Sequence, residues 1–187
     1  TNIFQNSIRT ERSYLHGSSR QDASALLFPD ELTYENRLVG FQSRHVIGEL
    51  PSKFSKYYKK APADYVFGLD SQRDNRQFVI ITEGEMDALL TSGLSIGSNN
   101  LSDNQAQLIE DLNIEPIVIP DADKAGRDLV ERAADYGWSV SFPEWEDCKD
   151  VSDAVMKYGR LFAIHSILQA AEHSPTKIRL MGKRYCK

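Results

Sequence analysis

The sequence predicts an α/β protein: an open, mainly parallel sheet flanked by helices, preceded by a small basic α+β portion. Three observations predict it. From Phe78 onward, apolar runs of strand length alternate with stretches of helical periodicity, the pattern of strands joined by right-handed helical crossovers. Acidic residues stand directly after two of those apolar runs. The chain also changes character near Phe78: residues 1–77 carry 11 Lys and Arg against 9 Asp and Glu, whereas residues 78–187 carry 11 against 18. The expected division is residues 1–77, 78–158 and 159–187, the last being a helix and a basic tail.

In chain order, "LTYENRLVGFQSRHVIG" predicts a β-hairpin turning near Glu35-Asn36, and the Lys- and Tyr-rich "LPSKFSKYYKKAPADYVFG", with two prolines, predicts irregular structure. "FVIIT" is continuously apolar, as expected of a strand covered on both faces. "EMDALLTSGL" places Met86, Leu89 and Leu90 at helical spacing and stops at Gly93. "SDNQAQLIEDLN" reads as a helix capped by Ser102 or Asp103. "PIVIP" is a second buried strand, and "KAGRDLVERAADYG" a helix with Ala125, Leu129 and Ala133 on one face. "WSVSF" alternates as a half-covered strand, and "VSDAVMKYG" and "LFAIHSILQAAEH" close the pattern as helices.

With 187 residues, 41% of them hydrophobic, the chain can bury a substantial core. It has no apolar run near the roughly 20 residues of a membrane helix and no apolar stretch of a signal peptide at its start, so a cytoplasmic protein without a membrane partner is expected. Cys148 and Cys186 are too few for a disulfide framework or a four-cysteine zinc ribbon. The four histidines, His16, His45, His165 and His173, show no metal-binding spacing.

In an open parallel sheet, sites form outside the carboxyl ends of the strands. Glu83 follows "FVII", Asp121 and Asp123 follow "PIVI", Asp87 lies one helical turn beyond Glu83, and Asp150 and Asp153 open a later helix. Six carboxylates on one edge repel one another unless a cation neutralises them. Mg²⁺ suits such a set, taking one or two carboxylates, several waters and substrate phosphates. Singly, the acids have plainer readings. Asp123 equally reads as the N-cap of a helix beginning at Lys124, Asp150 as the cap of the next, and Asp87 as a solvated helix residue. Capping requires neither Glu83 nor Asp121.

"VIITEGEMDALL", "IVIPDADKAGRDLV" and "KDVSDAV" resemble, in order, the three signature segments of the TOPRIM domain, with wording closest to bacterial and bacteriophage replicative primases. The match covers about residues 78–158. It implies a TOPRIM, Rossmann-like fold and a DNA primase core: a nucleotidyltransferase that copies single-stranded DNA into short RNA primers from ribonucleoside triphosphates, using Mg²⁺ or Mn²⁺. By this resemblance Asp121 and Asp123 are the principal metal ligands, Asp87 and Asp150 ligands through water, and Glu83 a ligand or the group that accepts the attacking proton. Upstream, "LVGFQSR", "SKYY" and "YVFGLD" resemble the basic subdomain of primase cores, which implies nucleotide or template contacts for Arg44 and Lys56. Pro62 stands where the bacterial pattern has a lysine, with Lys59 or Lys60 as substitutes. Lys124 and Arg127, at a helix start, can hold phosphate or simply cover surface.

Two departures stand out. There is no cysteine cluster for a zinc ribbon and no phosphate loop, so template reading and helicase action are expected from elsewhere. Ser152 stands where bacterial primases carry a second aspartate. Phage encoding would place the protein in the host cytoplasm. The competing readings are a TOPRIM nuclease and a non-catalytic nucleic-acid-binding scaffold of the same fold. A topoisomerase is disfavoured because strand passage needs large additional domains.

Overall fold

The computed structural model describes residues 9–12, 24–27, 33–34, 37–38, 40–45, 57–72 and 75–186. The chain forms two compact units, Thr1–Ala63 and Asp64–Lys187. In the first, β1 (Arg9–Arg12), β2 (Ser24–Leu27), β5 (Phe41–His45) and β6 (Tyr57–Lys60) make an antiparallel sheet in the order β1-β2-β5-β6, and β3 (Thr33–Tyr34) pairs with β4 (Arg37–Leu38). Tyr34 pairs with Arg37, and Glu35-Asn36, where the hairpin was expected to turn, lie outside the described residues. No helix occurs among the described residues of this unit. The segment expected to be irregular contains β6, with Tyr57 opposite Arg44 and Lys60 opposite Phe41. "YYKK" lacks an apolar alternation of its own. Its strand state comes from the partner β5, as β propensity depends on neighbours.

The second unit runs β7 (Phe78–Thr82), α1 (Glu85–Thr91), β8 (Leu94–Ser95), α2 (Asp103–Glu110), β9 (Glu115–Val118), α3 (Gly126–Tyr136), β10 (Ser139–Ser141), α4 (Val151–Tyr158), α5 (Arg160–Gln169), β11 (Ala171–Glu172) and α6 (Pro175–Tyr185). Its sheet order is β11-β10-β9-β7-β8, parallel throughout except for the antiparallel edge strand β11. The apolar run "FVIIT" is explained by coverage on both faces. Val79 and Ile81 join a core with Leu94, Leu129, Val130 and Ile178, while Ile80 faces the other way with Ile117, Ile119, Val151 and Ile167. Each such buried aliphatic side chain contributes about 1.5–3 kcal/mol.

Helix ends follow local chemistry. Ser102 caps α2 in a reciprocal capping box: its hydroxyl accepts from Gln105 N, and the Gln105 side chain accepts from Ser102 N. α3 begins two residues later than expected, at Gly126, because the Asp123 Oδ1 accepts from Ala125 N at 2.9 Å and Gly126 N at 3.2 Å, folding the approach into a turn. The basic tail is the helix α6. Pro175 starts it, Ile178 is buried against the core, and Gly182 lies against Val130 of α3, where an added Cβ would meet Val130 Cγ1 at 2.7 Å. Two of its cations are matched inside the unit: Arg179 pairs with Glu131 and Asp135, and Lys177 with Glu172. Among the described residues, no helix is long and apolar enough to cross a membrane.

Candidate metal centre

Numbering the sheet strands of the second unit one to five along the chain gives the spatial order 2-1-3-4-5, which reverses direction between β7 and β9. Connections leave to opposite sides at such a switch point and open a crevice beyond the strand ends. Glu83 leaves β7 and Asp121 follows β9 at this crevice. Their register is explicit, since Ile81 pairs with Val118. The Glu83 turn is held by Thr82 Oγ1, which donates to the Gly84 carbonyl at 2.9 Å, and by Ser95 Oγ, which donates to the Glu83 carbonyl at 2.8 Å. Glu83 Oε1 then accepts from Asp121 N at 3.2 Å, so the first two acids are tied directly. Gly126 allows this approach. A Cβ there would sit 2.4 Å from the Asp121 carbonyl oxygen and 3.2 Å from Glu83 Oε1.

The later acids arrive through α4. Ala122 N donates to the Lys149 carbonyl at 3.2 Å, which ties the Asp121–Asp123 turn to the loop before α4. Asp150 caps that helix, its Oδ1 accepting from Asp153 N at 2.8 Å, so its capping reading holds. Asp153 Oδ2 accepts from Lys149 N at 3.3 Å. Asp87 is buried rather than solvated: its Oδ1 accepts from both Ser152 N at 2.8 Å and Ser152 Oγ at 2.5 Å. Ser152 was legible only as a departure from a pattern. Its role as a double donor needed the fold.

Charge repulsion is visible in the acids themselves. Burial pushes the Asp121 carboxyl up to about 7, reinforced by the negative charges of Glu83, Asp87, Asp150 and Asp123. Glu83 is raised by burial, against the Asp121 amide that favours its charged form, with Asp123 and Asp87 adding to the rise. Asp87 is raised by burial, opposed by the Ser152 hydroxyl, with Asp150 pushing it further up. No donor or cation among the described residues reaches the Asp121 carboxylate.

An all-oxygen donor set around one unpartnered, half-buried carboxylate fits a hard divalent cation. Among the described residues, no three Asp, Glu, His or Cys side chains close on one point as a ready-made cage. Glu83, Asp87, Asp123 and Asp150 are the carboxylates whose charges act on Asp121, and their oxygens are the ones such a cation would use.

The basic residues divide. Lys124 is exposed at the start of the α3 turn. Arg127 is engaged elsewhere: its Nε donates at 2.8 Å to the carbonyl of Cys186, fixing the end of α6. The Cys186 thiol is pushed up to about 11 by burial, with Glu83, Asp123 and Asp121 adding, so this end of α6 lies beside the acidic cluster. Sequence reading did not place it there. Arg44 lies in β5 opposite Leu26 and Tyr57, Lys59 in β6 opposite Gln42, and Lys60 beside it is exposed. Lys56 is outside the described residues.

Residues 80–155 match a family model described as Toprim-like. Three solved structures share the fold. The Aquifex aeolicus primase (zinc binding and RNA polymerase domains) aligns with a TM-score of 0.61 at 20% identity, over 88% of this chain and 44% of that one. A DnaG catalytic core gives 0.64 at 23% identity over 85% and 56%. A DnaG primase catalytic domain bound to single-stranded DNA gives 0.63 at 22% over 85% and 55%. The chain thus spans about half the length of the primase structures it matches. No curated protein matches it in sequence. With its acids at the switch point of a 2-1-3-4-5 sheet, the chain has the α/β Toprim fold seen in DnaG primase cores, and residues 80–155 within it are similar to the Toprim-like family.

Proposed function

We propose that the chain is the catalytic core of a DNA primase, a nucleotidyltransferase that extends short RNA on a single-stranded DNA template from ribonucleoside triphosphates with Mg²⁺ or Mn²⁺. The observation that carries this reading is the Asp121 carboxylate, unpartnered among the described residues and surrounded by four other acids at the sheet's switch point. Phosphoryl transfer asks little covalent chemistry of a protein and much positioning and charge neutralisation. A divalent cation, when bound, supplies the positive charge that offsets the triphosphate and the attacking and leaving oxygens. Asp121 and Asp123 would hold it, and Asp87 and Asp150 would act on it through water. Glu83, kept in place by the Asp121 amide, either joins them or accepts the proton of the attacking hydroxyl.

Arg44, Lys59, Lys60 and Lys124 contact template or nucleotide in this reading. Lys56 belongs to the same set by sequence. Arg127 commits its Nε to the carbonyl of Cys186, and the remaining N–H groups of its exposed guanidinium meet phosphate in this reading. Template reading and unwinding come from a zinc-ribbon domain and a replicative helicase supplied elsewhere, in the cytoplasm.

Incubation with single-stranded template, labelled ribonucleotides and Mg²⁺ or Mn²⁺ tests the reading. Short RNA products are expected, and they disappear with EDTA and with Asp121→Asn. Shortened DNA strands would make the protein a TOPRIM nuclease instead. Salt-sensitive DNA binding with neither product would make it a scaffold.

A further inference from the structure

The atoms of Asp87 are used unequally. Oδ1 takes both donors of Ser152, the backbone N–H at 2.8 Å and the hydroxyl at 2.5 Å, while no donor among the described residues reaches Oδ2. Oδ2 lies over the Glu83–Gly84 turn, at 3.4 Å from where a Gly84 Cβ would stand. The Ser152 N–H belongs to the first turn of α4, whose amides have no partner within the helix, and Asp150 already serves that of Asp153. One amide bond would leave the carboxylate free to rotate about a broad terminal torsion. A second donor on the same oxygen, from a side chain fixed by the helix, sets the plane of the group. A hydroxyl can do this because it rotates to donate, whereas an ionised carboxylate at position 152 could only accept and would repel.

We infer that Ser152 is a positioning residue of the acidic site: it locks Oδ1 of Asp87 so that Oδ2 stays presented to a divalent cation. The inference rests on the reading that this cluster takes such a cation. It assigns a function to the residue at which the third signature segment departs from the bacterial pattern, and it gives Asp87 one oxygen for structure and one for the site.

The test is Mn²⁺ binding to the full chain, read from the electron paramagnetic resonance of the free ion, for the parent, Ser152→Ala and Ser152→Thr. Melting in EDTA is recorded alongside. Loss of the hydroxyl is expected to weaken Mn²⁺ binding about tenfold or more, as removal of an outer hydrogen-bond partner does at other metal sites. Ser152→Thr, which keeps the hydroxyl, is expected to bind and melt in EDTA as the parent does, while Ser152→Ala, having lost a bond to a buried carboxylate, melts a few degrees lower yet stays folded at the temperature of the binding measurement. Equal Mn²⁺ affinity in the parent and Ser152→Ala overturns the positioning role and leaves the metal site standing. Equal losses in Ala and Thr variants also overturn it, since a hydroxyl would then be irrelevant. A parent without saturable Mn²⁺ binding overturns the cation reading and this inference with it.

Discussion

At the scale of single residues, Asp121 sets the behaviour of the metal-free protein. Its carboxyl moves from 3.8 to about 7 on folding, so the folded chain holds the proton more tightly than the unfolded chain. Metal-free stability is therefore greatest at low pH from this group's viewpoint, falls as pH rises from about 4 to about 7, and is flat above. Asp121→Asn removes the ionisation. In EDTA at about pH 8 the variant should be more stable than the parent by on the order of 2 kcal/mol, allowing for the partly open surface, with the gap closing towards about pH 4. Urea denaturation across this range checks it, and a gap independent of pH would contradict the electrostatic account. Mg²⁺ should raise the melting temperature of the parent and leave the variant nearly unmoved. The cation's affinity for the parent should fall as pH drops through about 7, because proton and metal compete for the same oxygen.

Secondary elements show where local pattern suffices and where it does not. β7, β9 and α2 were legible because a both-sides-apolar run and a capping pair are local features. β8 and β11, two residues each, carry too little pattern to be seen. α6 was read only as charge. Its apolar positions, Ile178, Met181 and Tyr185, have helical spacing, yet a mid-helix glycine and four cations obscure it. The glycine is explained by α3: a methyl group at 182 collides with Val130, whose β-branched side chain is stiff. Gly182→Ala gains about 1 kcal/mol of helix propensity and loses about 1–3 kcal/mol to overpacking, so a net destabilisation of about 1 kcal/mol is expected. Adding Val130→Ala should then cost less in the Gly182→Ala background than in the parent, and a double-mutant cycle by denaturant unfolding measures this coupling. Strict additivity would mean that α6 relaxes away from α3.

The second unit, taken whole, has its own two-sided core and the acidic cluster complete within Asp64–Lys187. A fragment of those residues is expected to unfold in one cooperative transition and to keep the Mg²⁺-dependent rise in melting temperature. Calorimetry of the fragment with and without Mg²⁺ checks this, and loss of the response would show that the first unit completes the centre. Charge is also resolved at this scale. Within the basic tail, Lys177 and Arg179 are matched to Glu172, Glu131 and Asp135. These exposed pairs add little stability, about 0–1 kcal/mol each. What they change is how much of the tail's positive charge is left unmatched.

The sequence by itself determined which residues stand at strand exits, because the period of apolar positions gives each element its type and a strand's end fixes the next residue's place. Glu83, Asp121 and Asp123 were found on that ground. Tertiary structure alone decided that β7 and β9 are neighbours with a reversal of order between them, since nothing local encodes which strands pair. It also decided that Ser152 donates to Asp87 across 65 residues of chain and that Arg127 Nε donates to the carbonyl of Cys186 at the end of α6. Contacts between distant segments exist only once the core has packed, so their chemistry could be read only from the folded molecule.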